Sequence, residues 1–270
     1  FRGPIFPIPY FAHAVRDYSG LVFVENERLI VRSLRGTLGG GAVEGSGEMR
    51  LGEGGLAMID LRAEGRDLLV SPYERTRGLA DGSARLVKNP GQFLLEGTFD
   101  VRSLSWRREL YEKLAFSSVE ELAQRPPGFF DDLSLNLRFR SAGDAWMENS
   151  LGRVKARFDL SITGSVRLPI LLGDIEAVEG AVSFQDRDFK VLKGRVSFLN
   201  PLVVEPTLDI KGETFVKDYR VTVSVAGTPD RLKTDYNSSP PLPPEDVLAL
   251  LALGEAFRRT YSYDRSTQQS

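Results

Sequence analysis

Residues 145–254 read AWMENSLGRVKARFDLSITGSVRLPILLGDIEAVEGAVSFQDRDFKVLKGRVSFLNPLVVEPTLDIKGETFVKDYRVTVSVAGTPDRLKTDYNSSPPLPPEDVLALLALG. Nearly every segment alternates apolar with polar residues. Phe158, Leu160 and Ile162 share one parity, and Arg157, Asp159 and Ser161 take the other. Val182 with Phe184 repeats the pattern, as do Val196 with Phe198, Leu208 with Ile210, and Val221 with Val223 and Val225. A period of two puts one set on each face of a sheet, so each segment has a greasy face and a wet face. Gly164, Gly180, Gly194, Gly212 and Gly227 punctuate the segments at short, fairly regular spacing. No helix-length insert separates most of them, which predicts an antiparallel, all-β arrangement.

The same pattern extends upstream. Leu133, Leu135, Leu137 and Phe139 alternate cleanly with polar residues. In residues 20–51, Leu21 and Phe23 share a parity, Leu29 and Val31 mark a second short strand and Val43 a third. LAMIDLRAEG, TRGLADGSARLV and GQFLLEGTFDV follow, bounded by Gly, Asp or Asn, as an array without a strict repeat. FRGPIFPIPYF at the start carries three prolines, which remove ladder donors. It reads as an edge strand or extended connector; its aromatics are also compatible with a contact to chain further upstream.

Two segments break the alternation. Trp106, Leu110 and Leu114 fall at i, i+4 and i+8, and Ser117 with Glu120 has capping-box spacing before Pro126-Pro127. A helical insertion near 104–124 is therefore expected. A membrane-surface helix is the rival reading, disfavoured by Arg107 and Arg108 mixing with Glu109 and Glu112. Near the end, Pro244 suits a first helical turn and Glu245 and Asp246 suit its positive end. Val247–Leu253 is apolar all round, so a buried helix is expected over about 243–258, followed by a polar tail at 259–270.

Composition narrows the function. The 270 residues carry 35 Lys plus Arg against 37 Asp plus Glu, a net charge of −2, which argues against nucleic acid as a partner. The 26 glycines, roughly a tenth of the chain, exceed the usual ~7%, as many turns require. With no cysteine there is neither disulfide nor thiol chemistry. The one histidine, His13, has no nucleophile in motif spacing, and neither HExxH nor GxSxG occurs. GTLGGGAVEG lacks the Lys and Ser/Thr of a phosphate loop, so Gly39-Gly40-Gly41 reads as a tight turn. Asp186 and Asp188 fall where a hairpin turn is expected, and turn chemistry explains them without catalysis. No catalytic residue, metal ligand or cofactor is expected.

What needs explaining is the excess of apolar strand faces over helices able to cover them. Leaving a dozen large apolar side chains wet is costly at ~1.5–3 kcal/mol each. From composition and periodicity, an ordinary sandwich or closed barrel is the simplest answer.

A resemblance points elsewhere. AWMENSLGRV, GDIEAVEGAVSF, FKVLKGRVSFLNP, EPTLDIKGE and DYRVTVSVAGTPDRLKTDYNSSPPLPPEDVLALLALG together resemble the C-terminal region of the TamB family, bacterial envelope proteins related to AsmA-like proteins. It covers about 110 residues well and the upstream part only in style. It implies an elongated antiparallel sheet curled into a hydrophobic trough (a β-taco), with an upstream segment at 1–140 and a TamB-like segment at 141–258. It further implies phospholipid acyl chains as cargo, the outer-membrane barrel TamA or a relative as partner, and a periplasmic site. Membrane attachment would come from an inner-membrane anchor in chain upstream of this piece. The trough candidates are then Leu133, Leu135, Leu137, Phe139, Phe158, Leu160, Ile162, Val182, Phe184, Val196, Phe198, Leu208, Ile210, Val221, Val223 and Val225. The alternative is a periplasmic chaperone holding nascent outer-membrane strands by strand addition.

Overall fold

The computed structural model describes residues 2–7, 14–53, 55–70, 76–107, 130–149, 152–184 and 187–253. The described residues are nearly all β. Fourteen strands form one sheet, each hydrogen-bonded to its neighbours in chain order. They are β1 (Arg2–Pro7), β2 (Ala14–Glu25), β3 (Arg28–Leu38), β4 (Gly41–Gly52), β5 (Gly55–Val70), β6 (Thr76–Asn89) and β7 (Gln92–Trp106). The series continues with β8 (Ser134–Asn149), β9 (Gly152–Gly164), β10 (Pro169–Phe184), β11 (Arg187–Phe198), β12 (Pro206–Val216), β13 (Tyr219–Gly227) and β14 (Lys233–Ser239). Among the described residues one α-helix, α1 (Pro244–Leu253), follows. At ~4.8 Å per strand the sheet is about 60 Å long in the stacking direction.

The pairing is antiparallel except at one place. β7 and β8 are parallel, with Leu95 opposite Leu135 and Phe99 opposite Phe139. The sheet is thus mostly antiparallel, as the alternation and glycine spacing predict, with this one parallel pair. A parallel pair needs a crossover of a dozen or more residues, and the chain between Trp106 and Ser134 is long enough to return to the starting edge. The expected helix near 104–124 is corrected at its start: Leu104, Ser105 and Trp106 are the last residues of β7. Trp106 lies opposite Thr76 and Met147, so strand pairing on both sides overrides the helical spacing. The rest of that segment, with Leu110, Leu114, Ser117 and Glu120, lies outside the described residues, as do His13 and Asp186.

The turns follow local chemistry. Leu38 pairs with Gly41 across a two-residue loop in which Gly39 and Gly40 have φ of 60° and 93°. Both central residues are left-handed, as the tightest hairpins require, so the glycine run is turn geometry. Asp188 is a strand residue opposite Ser183, whose hydroxyl donates to it at 2.5 Å. Residue 140 lies inside β8, which is paired on both sides.

Register slips interrupt most strand pairs, for example between Ala177 and Glu179 in β10 and between Val191 and Lys193 in β11. Such bulges bend a strand and increase its twist. Glycine does similar work on the apolar face. A Cβ on Gly82 would sit 2.4 Å from the ring of Phe99 and 2.8 Å from the Thr98 carbonyl oxygen. The Phe99 ring of the paired strand therefore occupies the space that a side chain at Gly82 would need.

α1 begins where the sequence predicts, at Pro244. The N–H groups of Asp246 and Val247 donate to the Pro243 carbonyl at 3.0 and 3.1 Å. Before it, the Ser238 hydroxyl accepts from the Leu242 N–H at 2.9 Å and donates to the Pro240 carbonyl at 2.8 Å, a small hook that turns the chain onto the sheet. Val247, Leu250 and Leu251 are fully buried against Phe189, Val216 and Val221. The Arg187 Nε–H donates to the Leu251 carbonyl at 2.8 Å, occupying one orphan acceptor at the helix end.

Candidate functional site

Residues directly opposite one another in a ladder point to the same side of the sheet. Traced through the register, the apolar positions join into rows. One row crosses eight strands: Val43, Gly65, Gly82, Phe99, Phe139, Leu160, Gly173 and Phe198. Beside it run Leu137, Ile162 and Leu171, and then Phe158, Ile175, Val196 and Leu208. Further toward the C-terminal edge, Ile210 faces Val225, Gly212 faces Val223 and Thr214 faces Val221. Leu135 joins through Leu95, and Val182 lies opposite Phe189. Phe99 and Phe139 stack with centroids 5.0 Å apart.

The candidate residues thus lie on one connected face. Two need separate mention. Leu133 precedes β8 and is buried, its N–H donating to the Phe130 carbonyl. Phe184 lies on this face by its backbone pairing with Arg187, and its side chain is outside the described residues. Sequence reasoning did not single out Leu171, Ile175, Phe189 and Val191, or the matching face of β4–β7. The signal is faint because bulges shift parity within a strand. Ile175 and Ala177 are followed by Gly180 and Val182, and Phe189 and Val191 by Gly194 and Val196, on the same face. In β2 the face is the reverse of the obvious one. Val22 lies opposite Val31, so Leu21 and Phe23 fall on the other side, exposed, with Arg32 stacked over the Phe23 ring at 5.4 Å.

The connected face is neither sealed nor bare. Leu135, Leu137, Phe139, Phe158, Leu160, Ile162, Val196, Leu208 and Ile210 are all half-buried. Among the described residues no second layer covers them, so their shielding comes from neighbouring side chains on the same face. At the C-terminal end the face is plugged: α1 covers Val221 completely, and Val182 and Val223 pack against the same cluster. A smaller buried cluster of Val15, Leu38 and Leu68, with Tyr18 and Val43 against it, lies on β2–β5.

The opposite face is a ladder of cross-strand ion pairs. Arg85 grips Asp60 with two bonds of 2.8 and 2.7 Å, and Arg138 grips Asp159 with 2.9 and 2.6 Å. Glu176 sits between Arg157 and Arg195, and Lys193 reaches Asp209. Hydrogen bonds from these arginines hold the carboxyls of Asp60, Asp159 and Glu176 below the usual carboxylate range, with burial opposing. An open cleft of about 990 Å³ lies on β7–β10 beside the slips at Asp100 and Ser141. Its charges are mutually paired, Arg140 with Asp100 and Arg157 with Glu176, and no reactive constellation stands among them. Among the described residues no cluster of three or more potential metal ligands occurs.

A one-layer sheet with a continuous half-buried apolar face, charged on its back and stopped by a short helix, is the geometry on which the family comparison bears. Residues 32–270 match the TamB C-terminal domain. The chain belongs to that family. TamB proteins are structural transport and assembly proteins of the bacterial envelope. No curated protein matches the chain. In this TamB domain, no helix among the described residues is long and apolar enough to cross a membrane, which says nothing about other parts of a longer protein.

Proposed function

We propose that this TamB domain binds lipid acyl chains along its apolar trough and conducts them between the inner and outer membranes, supporting outer-membrane protein assembly. One observation carries the reading: the half-buried apolar face of β8–β11 runs unbroken from strand to strand without a covering layer among the described residues. A 16-carbon chain laid on such a surface gains on the order of 12 kcal/mol before entropy costs, at ~0.8 kcal/mol per CH₂. The lining is non-directional, so it holds a chain without fixing its position. The charged back keeps the other side of the sheet in water. In this scheme the domain works in the periplasm of a protein anchored in the inner membrane, and TamA is the partner at the outer membrane.

The test is lipid content. The purified domain is extracted with organic solvent and assayed by mass spectrometry. Phospholipid is expected with the wild-type domain, and Phe158→Asp or Leu160→Asp is expected to lower it severalfold. Wild-type protein purified without detergent and free of lipid refutes the reading.

The second reading, a chaperone for nascent outer-membrane strands, draws on the C-terminal edge. Among the described residues β14 pairs with β13 alone, leaving one side of its backbone available there for strand addition. That edge is short and begins with Lys233, features that guard against casual pairing. A photocrosslinker at Ile162, on the uncovered part of the face, separates the two, capturing lipid under the first and polypeptide under the second.

A further inference from the structure

The two long borders of the sheet, where strands turn, are unlike one another. One border carries α1 and the connections from β8 to β9, β10 to β11 and β12 to β13. The other carries the turns that join β9 to β10, β11 to β12 and β13 to β14, which are neighbours in space because their strands are neighbours in the sheet. On these three turns Leu168, Leu199, Leu202, Val203 and Leu232 are exposed, Leu202 at 89% and Leu199 at 68%. Isolated apolar residues on a surface need no explanation; five on adjacent turn tips do.

We propose that this border is a membrane-docking rim that dips into the surface of an anionic phospholipid bilayer. Three observations choose the bilayer as occupant. The apolar groups sit on turn tips at strand ends, a shape suited to shallow insertion rather than to a flat protein contact. The charge is complementary: Arg167, Arg231 and Lys233 flank the leucines and, among the described residues, form no ion pair, against Glu205 and Asp230 on the same turns. The rim also begins where a strand of the apolar face ends. Phe198, on the apolar face, immediately precedes Leu199, and Pro206 opposite it closes the same turn. The docking goes beyond lipid carriage and does not depend on it.

The experiment is flotation of the 270-residue chain with vesicles of phosphatidylethanolamine and phosphatidylglycerol, compared with vesicles of phosphatidylcholine alone. The wild type is expected to float with the anionic vesicles and to lose binding as salt rises. L199D/L202D is expected to bind about tenfold more weakly or worse, since two apolar side chains leave the bilayer surface. Its melting temperature is expected to be unchanged, because both side chains are exposed. L202W reports directly: its emission is expected to shift to the blue and to be quenched by brominated lipid, whereas L248W, on α1 at the other border, is expected to do neither. Wild-type protein that fails to float, equal flotation of L199D/L202D, or an L202W spectrum indifferent to vesicles overturns the proposal. Lipid co-purified with L199D/L202D separates the two ideas. A filled trough on a variant that no longer docks supports the rim and leaves the carrier reading intact. An empty wild-type trough on a chain that still floats supports the rim and removes the carrier.

Discussion

Replacing Leu250 by Ala should release α1 from the sheet without unfolding the sheet. Val247, Leu250 and Leu251 are buried to 0, 0 and 1% exposure. At ~1.5–3 kcal/mol each they contribute about 4.5–9 kcal/mol of gross burial. Against this stands the ordering of a ten-residue helix, too short to persist alone. Docking is therefore a narrow balance, and a buried Leu→Ala change costs about 2–5 kcal/mol. Amide hydrogen exchange of Val247–Leu251 should then speed by roughly 30- to 4,000-fold, at tenfold per ~1.4 kcal/mol. The strands β8–β10, whose ladders do not involve α1, should keep their protection. Mass spectrometry of peptides from each region reads both at once. Unchanged protection in α1 would refute the burial argument. Equal loss of protection in β8–β10 would show that helix and sheet open as one unit.

Two other outcomes follow from the geometry. Gly82→Ala should destabilise the sheet by about 1–3 kcal/mol, because its Cβ must displace Phe99 and press on the Thr98 carbonyl; Gly91→Ala, with only the Asn89 side chain 4.0 Å away, should be nearly neutral, and thermal melts of the pair check the contrast. Asp60, Asp159 and Glu176 have pKa values held low in the folded chain, so their contribution is present above the ordinary carboxylate range and fades as pH falls through their folded values. The melting temperature should accordingly drop as pH goes from about 7 toward about 3, and D159N should flatten that dependence; an unchanged slope would remove the ion-pair ladder from the account.

How much of this was legible in the sequence depends on how local the cause is. The parity of Phe158, Leu160 and Ile162 is a local fact, and their common face follows from it. The helix at Pro244 is equally local, because proline, two acids and an apolar run lie together. The bulges are different. Nothing near Val178 or Leu192 announces that a residue will be extruded, yet each slip reverses the parity that follows. That is why Ile175 and Phe189 escaped notice and why Leu21 and Phe23 prove to face outward. The parallel pair β7–β8 depends on where a long connection returns, which no pattern inside either strand encodes. Trp106 shows the competition most plainly: its spacing with Leu110 and Leu114 is helical, but partners on two neighbouring strands claim it.

The strictly sequential order of the strands has a consequence for biogenesis. Each antiparallel strand needs only its predecessor as a template, so the contacts that build most of the sheet are close in sequence and quick to form. A polypeptide that folds from one end can lay down one hairpin after another without waiting for its last residue. The exception is the junction between β7 and β8, where the growing edge must pause until the returning segment arrives. Folding of such a chain is thus zippering in two stages, with its longest wait for a partner strand at the β7 border.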